Sequence, residues 1–468
     1  MQQKCDIAVY GLGVMGASLA KNMLSHGYRV AVYSISEQER ACFREDIKNQ
    51  DTCVIGESEE ELLQSLVSPR KVFIMIMAGK PVDMVLNRLI PCLDKNDVVI
   101  DGGNSYYEDS VRRYHKCQEA GIRFLGVGVS GGEKGALTGP SMMAGGSRRA
   151  WESSRNILQT IAAKHEGIPC CIYLGNEGAG HYVKMVHNGI EYGILQLLSE
   201  TYHYLKDGMQ ISHEKITELF CSWKEGELSS YLIDISIQVL EKRDEDGKFL
   251  LDKIRDKAEQ KGTGLWTSKE ALKAGIYVPT IYEAVQARSF SGRNKVRNSG
   301  REILDKGQGT ALFIKLDESI CHMFKDALYW GMISCYSQGL ELIQYASGKY
   351  DWQIPMLDVV QVWKEGCIIR SALLSEIQNA LIERPEALIL SQYWTDREKR
   401  VRSVRYITAN ALLAGYPCAA YESVLNYYSY FETKTMPVCF LQGLRDCFGA
   451  HTYERKDANG CFHTEWTE

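Results

Sequence analysis

The chain has no excess of positive charge, no long apolar run and no paired-cysteine motif. Across 468 residues, 54 Lys and Arg stand against 59 Asp and Glu, a formal net charge of -5. Nucleic-acid binders usually carry a basic balance, so no nucleic-acid partner is expected. An anionic ligand would need positive charge gathered locally. The longest apolar stretch spans only Val72–Ala78, far short of the roughly 20 residues that a membrane-spanning helix requires. The opening Met-Gln-Gln-Lys-Cys-Asp shows no basic region followed by a signal-type apolar core. The 15 cysteines include no CxxC pair, and adjacent Cys170 and Cys171 suit neither an ordinary disulfide nor a zinc knuckle. The expectation is a soluble, cytoplasmic protein with reduced thiols, no metal site and no membrane partner.

Hydrophobic residues make up 45% of the chain and charged residues 24%, ordinary values for a globular protein. The length suggests two or three domains. Up to about residue 178, short apolar runs at Ile7–Tyr10, Val30–Tyr33, Val72–Ala78, Val98–Ile100 and Phe124–Val129 read as buried parallel strands separated by crossover helices. That is the pattern of a doubly wound α/β domain. From 179 to 436 long amphipathic stretches such as Gly180–Asp207 and Phe324–Tyr345 predict a mainly helical domain. This half repeats itself. Ile190–Leu195 resembles Leu328–Ile333, and Trp223-Lys224-Glu225-Gly226 recurs as Trp363-Lys364-Glu365-Gly366, at offsets of 138 and 140 residues. Two matches at nearly one offset predict a duplicated helical unit. Residues 437–468 read as a C-terminal tail, and the part from 447 onward has few aliphatics and little core of its own.

Gly11-Leu12-Gly13-Val14-Met15-Gly16 follows a predicted strand and opens a predicted helix. In such a turn the first Gly allows the tight bend, the second lets backbone approach a pyrophosphate, and the third packs helix on strand. The helix N-terminus then offers free N–H groups to phosphate. The competing reading is a glycine-rich turn used only for packing. The next strand ends Tyr33-Ser34-Ile35-Ser36, with neither the acid of an NAD-type site nor the Arg of an NADP-type site. Glu37 lies beyond it. The motif points to a nicotinamide dinucleotide without choosing between the two.

The densest chemistry runs from Gly178 to Tyr192. On a helix Lys184, Asn188 and Glu191 share one face, with His187 beside them. A buried amine can act as a base near neutrality, and a carboxyl in an apolar site can stay protonated as an acid. The two would stand roughly 10 Å apart along the axis. Spacing alone fits a solvated Lys/Glu face equally well. The Gly178-Ala179-Gly180 lead-in and the apolar residues on other faces favour an element buried in a cleft.

Ile100-Asp101-Gly102-Gly103-Asn104-Ser105, Gly128-Val129-Ser130-Gly131-Gly132-Glu133, Lys184–Tyr192, Gln260-Lys261-Gly262-Thr263-Gly264 and Phe448–Glu454, with His463-Thr464-Glu465-Trp466 at the end, occur in order along the chain. Together they resemble the 6-phosphogluconate dehydrogenases. The resemblance implies a Rossmann-type N-terminal domain, a large duplicated all-α domain, and a tail that enters the partner subunit of a homodimer. It implies oxidation of 6-phosphogluconate at C3, loss of CO2, and protonation at C1 to give ribulose 5-phosphate. By resemblance Lys184 is the general base and Glu191 the general acid. Ser130, Gly131, Gly132, His187 and Asn188 would contact carboxylate and hydroxyls, and Asn104 would lie between nicotinamide and substrate. Tyr192, Lys261, Thr263 and Arg288 would hold the phosphate, with Arg445 and His451 delivered by the other subunit. The cofactor residues would be Gly11, Gly13, Val14, Met15, Gly16, Ser34, Ile35, Ser36, Met77, Ala78 and Asn104. NADP is the family's usual cofactor. The chain departs from the family there: Ser34-Ile35-Ser36 replace Asn-Arg-Thr or Asn-Arg-Ser, Met77 replaces a Lys, and Leu265 replaces the Lys after Gly264. NAD therefore stays open. The competing functions are another β-hydroxyacid dehydrogenase acting on an unphosphorylated acid, which would need no Lys261, Arg288 or Arg445, and a non-catalytic dinucleotide sensor.

Overall fold

A computed structural model describes residues 3–47, 50–259, 262–304, 316–383 and 385–466. Gln260 and Lys261 lie outside the described residues. The chain divides into a larger unit ending at Val424 and a smaller one beginning at Leu425.

The larger unit opens on strands β1 (Ile7–Tyr10), β2 (Val30–Tyr33), β3 (Cys53–Ile55), β4 (Lys71–Ile74), β5 (Val98–Asp101), β6 (Arg123–Ser130) and β7 (Ser141–Gly146). A short hairpin, β8 (Lys164–His165) with β9 (Ile168–Pro169), precedes β10 (Cys171–Tyr173). Among the described residues, eight strands form one sheet in the order β10-β7-β6-β5-β4-β1-β2-β3. The strands at its centre are apolar and wholly buried because helices cover both faces. The strand order reverses between β1 and β4, and the loops leaving their carboxyl ends open the crevice where such sheets take ligands.

Three features differ from the sequence reading. The strand expected over Val72–Ala78 ends at Ile74, and the next four residues turn away as a loop. β3, β7 and β10 were not foreseen. The sheet is not wholly parallel either: β6 and β7 run antiparallel, from Leu125 opposite Gly146 to Ser130 opposite Ser141. β7 reads Ser-Met-Met-Ala-Gly-Gly, without a β-branched residue to mark it. It forms because it completes the hydrogen bonds of the unusually long β6.

The helical part repeats as its sequence does. A long helix (Ala179–His203), a short one (His213–Ser222), a Trp-x-x-Gly turn and a third helix (Tyr231–Glu241) recur as Glu318–Lys349, Met356–Trp363, the same turn and Leu373–Ile382. Trp223 and Trp363 are both buried, and Gly226 and Gly366 both take positive φ, 91° and 70°. The two long helices meet reciprocally. A Cβ on Gly193 would come 2.7 Å from Cys335 Sγ, and one on Gly331 would come 2.8 Å from Leu197. The copies also join backbone to backbone: Tyr231 N–H donates to Arg370 O (3.1 Å) and Ala372 N–H to Ser229 O (2.8 Å).

The smaller unit carries a helix (Val438–Gly449) and a two-stranded hairpin (Tyr453–Glu454 with Cys461–Phe462). Its internal anchor is Asp446, whose carboxylate accepts from Thr452 N–H, His463 Nδ1, Thr464 N–H and Trp466 Nε1 at 2.8–3.0 Å. Among the described residues no helix is long and apolar enough to cross a membrane, and the cysteines are free.

Candidate active site

A cavity of about 940 Å³ opens over the carboxyl ends of the central strands. Gly11, Gly13, Val14, Met15, Gly16, Ser34, Ile35, Ser36, Met77, Ala78 and Asn104 all line it, so the structure brings the eleven expected cofactor residues to one place. The glycines fit the role that their spacing suggests. A Cβ on Gly11, where φ is +105°, would strike the Met75 carbonyl, and one on Gly16 would strike Gly11 O. Gly13 meets nothing closer than 3.9 Å and faces open space. The Val14–Ser25 helix starts there with no side-chain cap and no acid in its first turn, leaving its N–H groups free for an anion. This cradle fits a dinucleotide.

On the side of the cavity that carries Asn104, two loops are tied by one buried cation. Arg113 has no exposed surface. It donates to Asp101 Oδ2 (3.0 Å), Ser105 Oγ (3.0 Å), Asp83 Oδ1 (2.8 Å) and the Gly79 carbonyl (2.8 Å). Asp101 also accepts from Gly103 N–H (3.1 Å). The turn bearing Asn104 is thus fixed against the loop after β4.

Beside this cavity the Ala179–His203 helix lies directly on β6 and β7. A Cβ on Gly128 would overlap Lys184 Cβ, one on Gly145 would overlap the Gly180 backbone, and one on Gly126 would come 2.8 Å from His181. Lys184 is therefore pressed along the sheet, and its amine emerges at the end of β6. Nζ donates to Asn188 Oδ1 (2.6 Å) and Ser130 Oγ (3.3 Å), and lies 3.3 Å from His187 Nδ1. Among the described residues Lys184 has no ion-pair partner. Burial pushes its pKa down, against the opposing pull of Glu191. Burial, and then the charge of Lys184, hold His187 well below the ordinary imidazole value, so it serves as a neutral ring beside Ser130.

One helical turn on, burial raises the pKa of Glu191, although Lys184 and Arg288 pull it down. The guanidinium of Arg288 sits 3.5 Å from the centre of the Tyr192 ring. Thr263 begins the Thr263–Ala274 helix, whose first turn has no side-chain cap and no acid. That helix packs closely on the first: a Cβ on Gly264 would lie 2.5 Å from the Tyr192 ring, and Thr267 Oγ1 donates to Met185 O (2.9 Å). Gly131 and Gly132 follow β6 with φ of 112° and 63°. Ser130, Lys184, His187 and Asn188 form one hydrogen-bonded group, with Glu191, Tyr192 and Arg288 adjoining. Arg445 and His451 belong to the smaller unit, where Arg445 donates to Gln442 Oε1 (3.0 Å) and the His451 ring meets that of Phe448 edge-on.

The model for the NAD binding domain of 6-phosphogluconate dehydrogenase matches residues 6–175, and that for the 6-phosphogluconate dehydrogenase C-terminal domain matches residues 180–466. The chain belongs to the 6-phosphogluconate dehydrogenase family. Among its relatives is the NADP(+)-dependent, decarboxylating 6-phosphogluconate dehydrogenase of Bacillus subtilis (strain 168), 43% identical over 99% of both chains. The NAD(+)-dependent 6-phosphogluconate dehydrogenase of the same organism is 42% identical, again over 99% of both. A solved Plasmodium falciparum 6-phosphogluconate dehydrogenase, studied with NADP+ and with 6-phosphogluconate, superposes with a TM-score of 0.94 at 36% identity, over 99% of this chain and 100% of that one.

Several residues of the site escaped sequence reasoning. Glu39, Arg88 and Val129 also line the cavity, and Ser110 Oγ meets the buried His181 ring at 2.6 Å. For Glu39 a signal existed: Ser36-Glu37-Gln38-Glu39 has capping-box spacing, which turns the acid back toward the helix start.

The acid–base roles that the family resemblance implies for this pair would need Lys184 without its proton and Glu191 with its proton. The kcat/KM profile should be bell-shaped, with both limbs inside the interval between an ordinary carboxyl and an ordinary ammonium. Lys184→Ala should cut turnover by about 10²- to 10⁴-fold while leaving dinucleotide affinity near wild type, and Glu191→Gln should remove one limb. A Glu191→Gln profile identical to wild type would contradict this assignment.

Proposed function

We propose that the chain oxidises and decarboxylates 6-phospho-D-gluconate to ribulose 5-phosphate and CO2, as its family implies. The observation that carries this reading is the buried Lys184 amine, which has no ion-pair partner among the described residues and is held by Asn188 and Ser130 beside the cavity with the glycine turn. When bound, the dinucleotide supplies the two-electron acceptor. Lys184 takes the proton of the C3 hydroxyl, then as an ammonium donates a hydrogen bond to the C3 carbonyl while CO2 leaves. Glu191 delivers a proton to C1. Ser130, Gly131, Gly132, His187 and Asn188 hold the carboxylate and hydroxyls, with Asn104 between substrate and nicotinamide. At the far end Tyr192, Lys261, Thr263 and Arg288 take the phosphate. The open helix start at Thr263 and the guanidinium of Arg288 suit a nearly dianionic group, which an unphosphorylated hydroxyacid would not require.

In this reading residues 1–178 bind the dinucleotide, 179–436 supply the substrate pocket and subunit interface, and 437–468 form the tail. The free thiols suit a reducing cytoplasm. We also propose a two-fold homodimer in which each tail brings Arg445 and His451 to the partner's site. The tail helix supports this: Phe440 and Phe448 are 73% and 75% exposed, with Leu441 and Leu444 exposed beside them, an apolar face of the kind that marks an interface.

The reaction is tested by stoichiometry. Incubation with 6-phosphogluconate and oxidised dinucleotide should yield CO2 and reduced dinucleotide in equal amounts; reduction without CO2 release would refute the decarboxylation. The shared site is tested by mixing Lys184→Ala and His451→Ala proteins under conditions of subunit exchange. Half of the dimers are then mixed and each holds one intact site, so about a quarter of wild-type activity should return. Verified exchange with no recovery would show that each subunit uses its own tail.

A further inference from the structure

Overall likeness does not choose the dinucleotide, since NADP(+)- and NAD(+)-dependent relatives lie one percentage point apart, at 43% and 42% identity. The cavity wall beyond β2 does discriminate. Ser34, Ile35 and Ser36 line it, with Ile35 77% exposed and carrying no charge. The charged group there comes from the next helix. Ser36 caps the Glu37–Asp46 helix by accepting from Glu39 N–H (3.2 Å). In an ordinary capping box the acid side chain would return to the cap residue's own N–H. Here Ser36 N–H is taken by Ser34 Oγ (3.2 Å), and Ser34 Oγ donates to Glu39 Oε2 (2.5 Å). The carboxylate is thereby turned into the cavity. Its Oε1 has no hydrogen-bond partner among the described residues and stands 3.9 Å from where a Cβ on Gly13 would be, over the turn that faces the pyrophosphate.

Among the described residues, three arginines around this wall are already engaged. Arg40 donates to the Ser34 carbonyl (2.6 Å) and pairs with Glu57 (3.1 Å). Arg44 pairs with the same Glu57 (2.9 Å). Arg88 holds Glu59 through Nε (2.9 and 3.2 Å) and Tyr10 OH through Nη2 (2.9 Å). The charge left facing the cavity on this side is negative. A ribose 2′-hydroxyl can donate to Glu39 Oε1, whereas a 2′-phosphate would meet a carboxylate beside arginines that each already hold an acid.

We propose that Glu39, positioned by Ser34, is the specificity-determining residue of the adenosine end and makes the chain prefer NAD+ over NADP+. This rests on reading the cavity as a dinucleotide site. The test is titration calorimetry of NAD+ and NADP+, at one ionic strength, with wild type and Glu39→Gln, which keeps a side chain able to accept from Ser34 but removes the charge. Wild type should bind NAD+ at least about tenfold more tightly than NADP+, the size of one charge-assisted hydrogen bond. Glu39→Gln should weaken NAD+ and tighten NADP+, moving their ratio by roughly tenfold or more. Wild-type protein that binds NADP+ as tightly as NAD+, or a variant in which both affinities move together, would overturn the assignment and leave the dinucleotide site standing. Binding of neither dinucleotide would overturn both.

Discussion

Lys184 depends on the absence of side chains beneath it. The Ala179–His203 helix rests on β6 and β7 only because Gly126, Gly128, Gly145 and Gly180 remove the atoms that would hold the two apart. The other sides of the helix are closed as well: Gly339 of the Glu318–Lys349 helix approaches Ile190 and Val186, and Gly189 approaches Thr267. A lysine stem packed in this way cannot snorkel to solvent. Its amine is stranded at the end of β6, where Ser130 and Asn188 supply hydrogen bonds but no negative charge. Desolvation outweighs the pull of Glu191 and favours the neutral amine, the form that a base would need.

The cavity next to it follows from sheet topology. A reversal of strand order between β1 and β4 separates the loops that leave them, and the glycine turn after β1 occupies one wall. Arg113 sets the other wall by joining Asp101, Ser105, Asp83 and the Gly79 carbonyl. Removing one member of such a buried charge network typically costs about 3–5 kcal/mol, so Arg113 ties these loops together. The duplicated helical unit then places its first long helix where sheet, cavity and second copy meet.

Much of this was legible in the sequence because it rests on local pattern. The Gly11–Gly16 turn, the central buried strands, the two long helices and the Trp-x-x-Gly repeat each announce themselves within a few residues. The helical period alone put Lys184, Asn188 and Glu191 on one face. What was missed depends on distant partners. β7 has weak strand propensity and exists because β6 needs a neighbour. Met75–Ala78 continue the apolar run of β4, yet they leave the sheet to line the cavity. Ile35 stands out in the sequence as a missing arginine, whereas the capping-box spacing of Glu39 marks an acid near the helix start without showing that Ser34 turns it into the cavity. In the part of the tail from 447 onward, thinly supplied with aliphatics, order comes instead from four hydrogen bonds to Asp446.

The proposed role of Lys184 as a base rests on its packing against glycine. Its most direct measurement is a titration of the Lys184 ammonium by NMR in protein carrying ¹³Cε,¹⁵Nζ-labelled lysine, with the resonance assigned by its loss in Lys184→Ala. Its midpoint should lie clearly below that of the exposed lysines in the same spectrum. A Lys184 midpoint equal to or above theirs would contradict it.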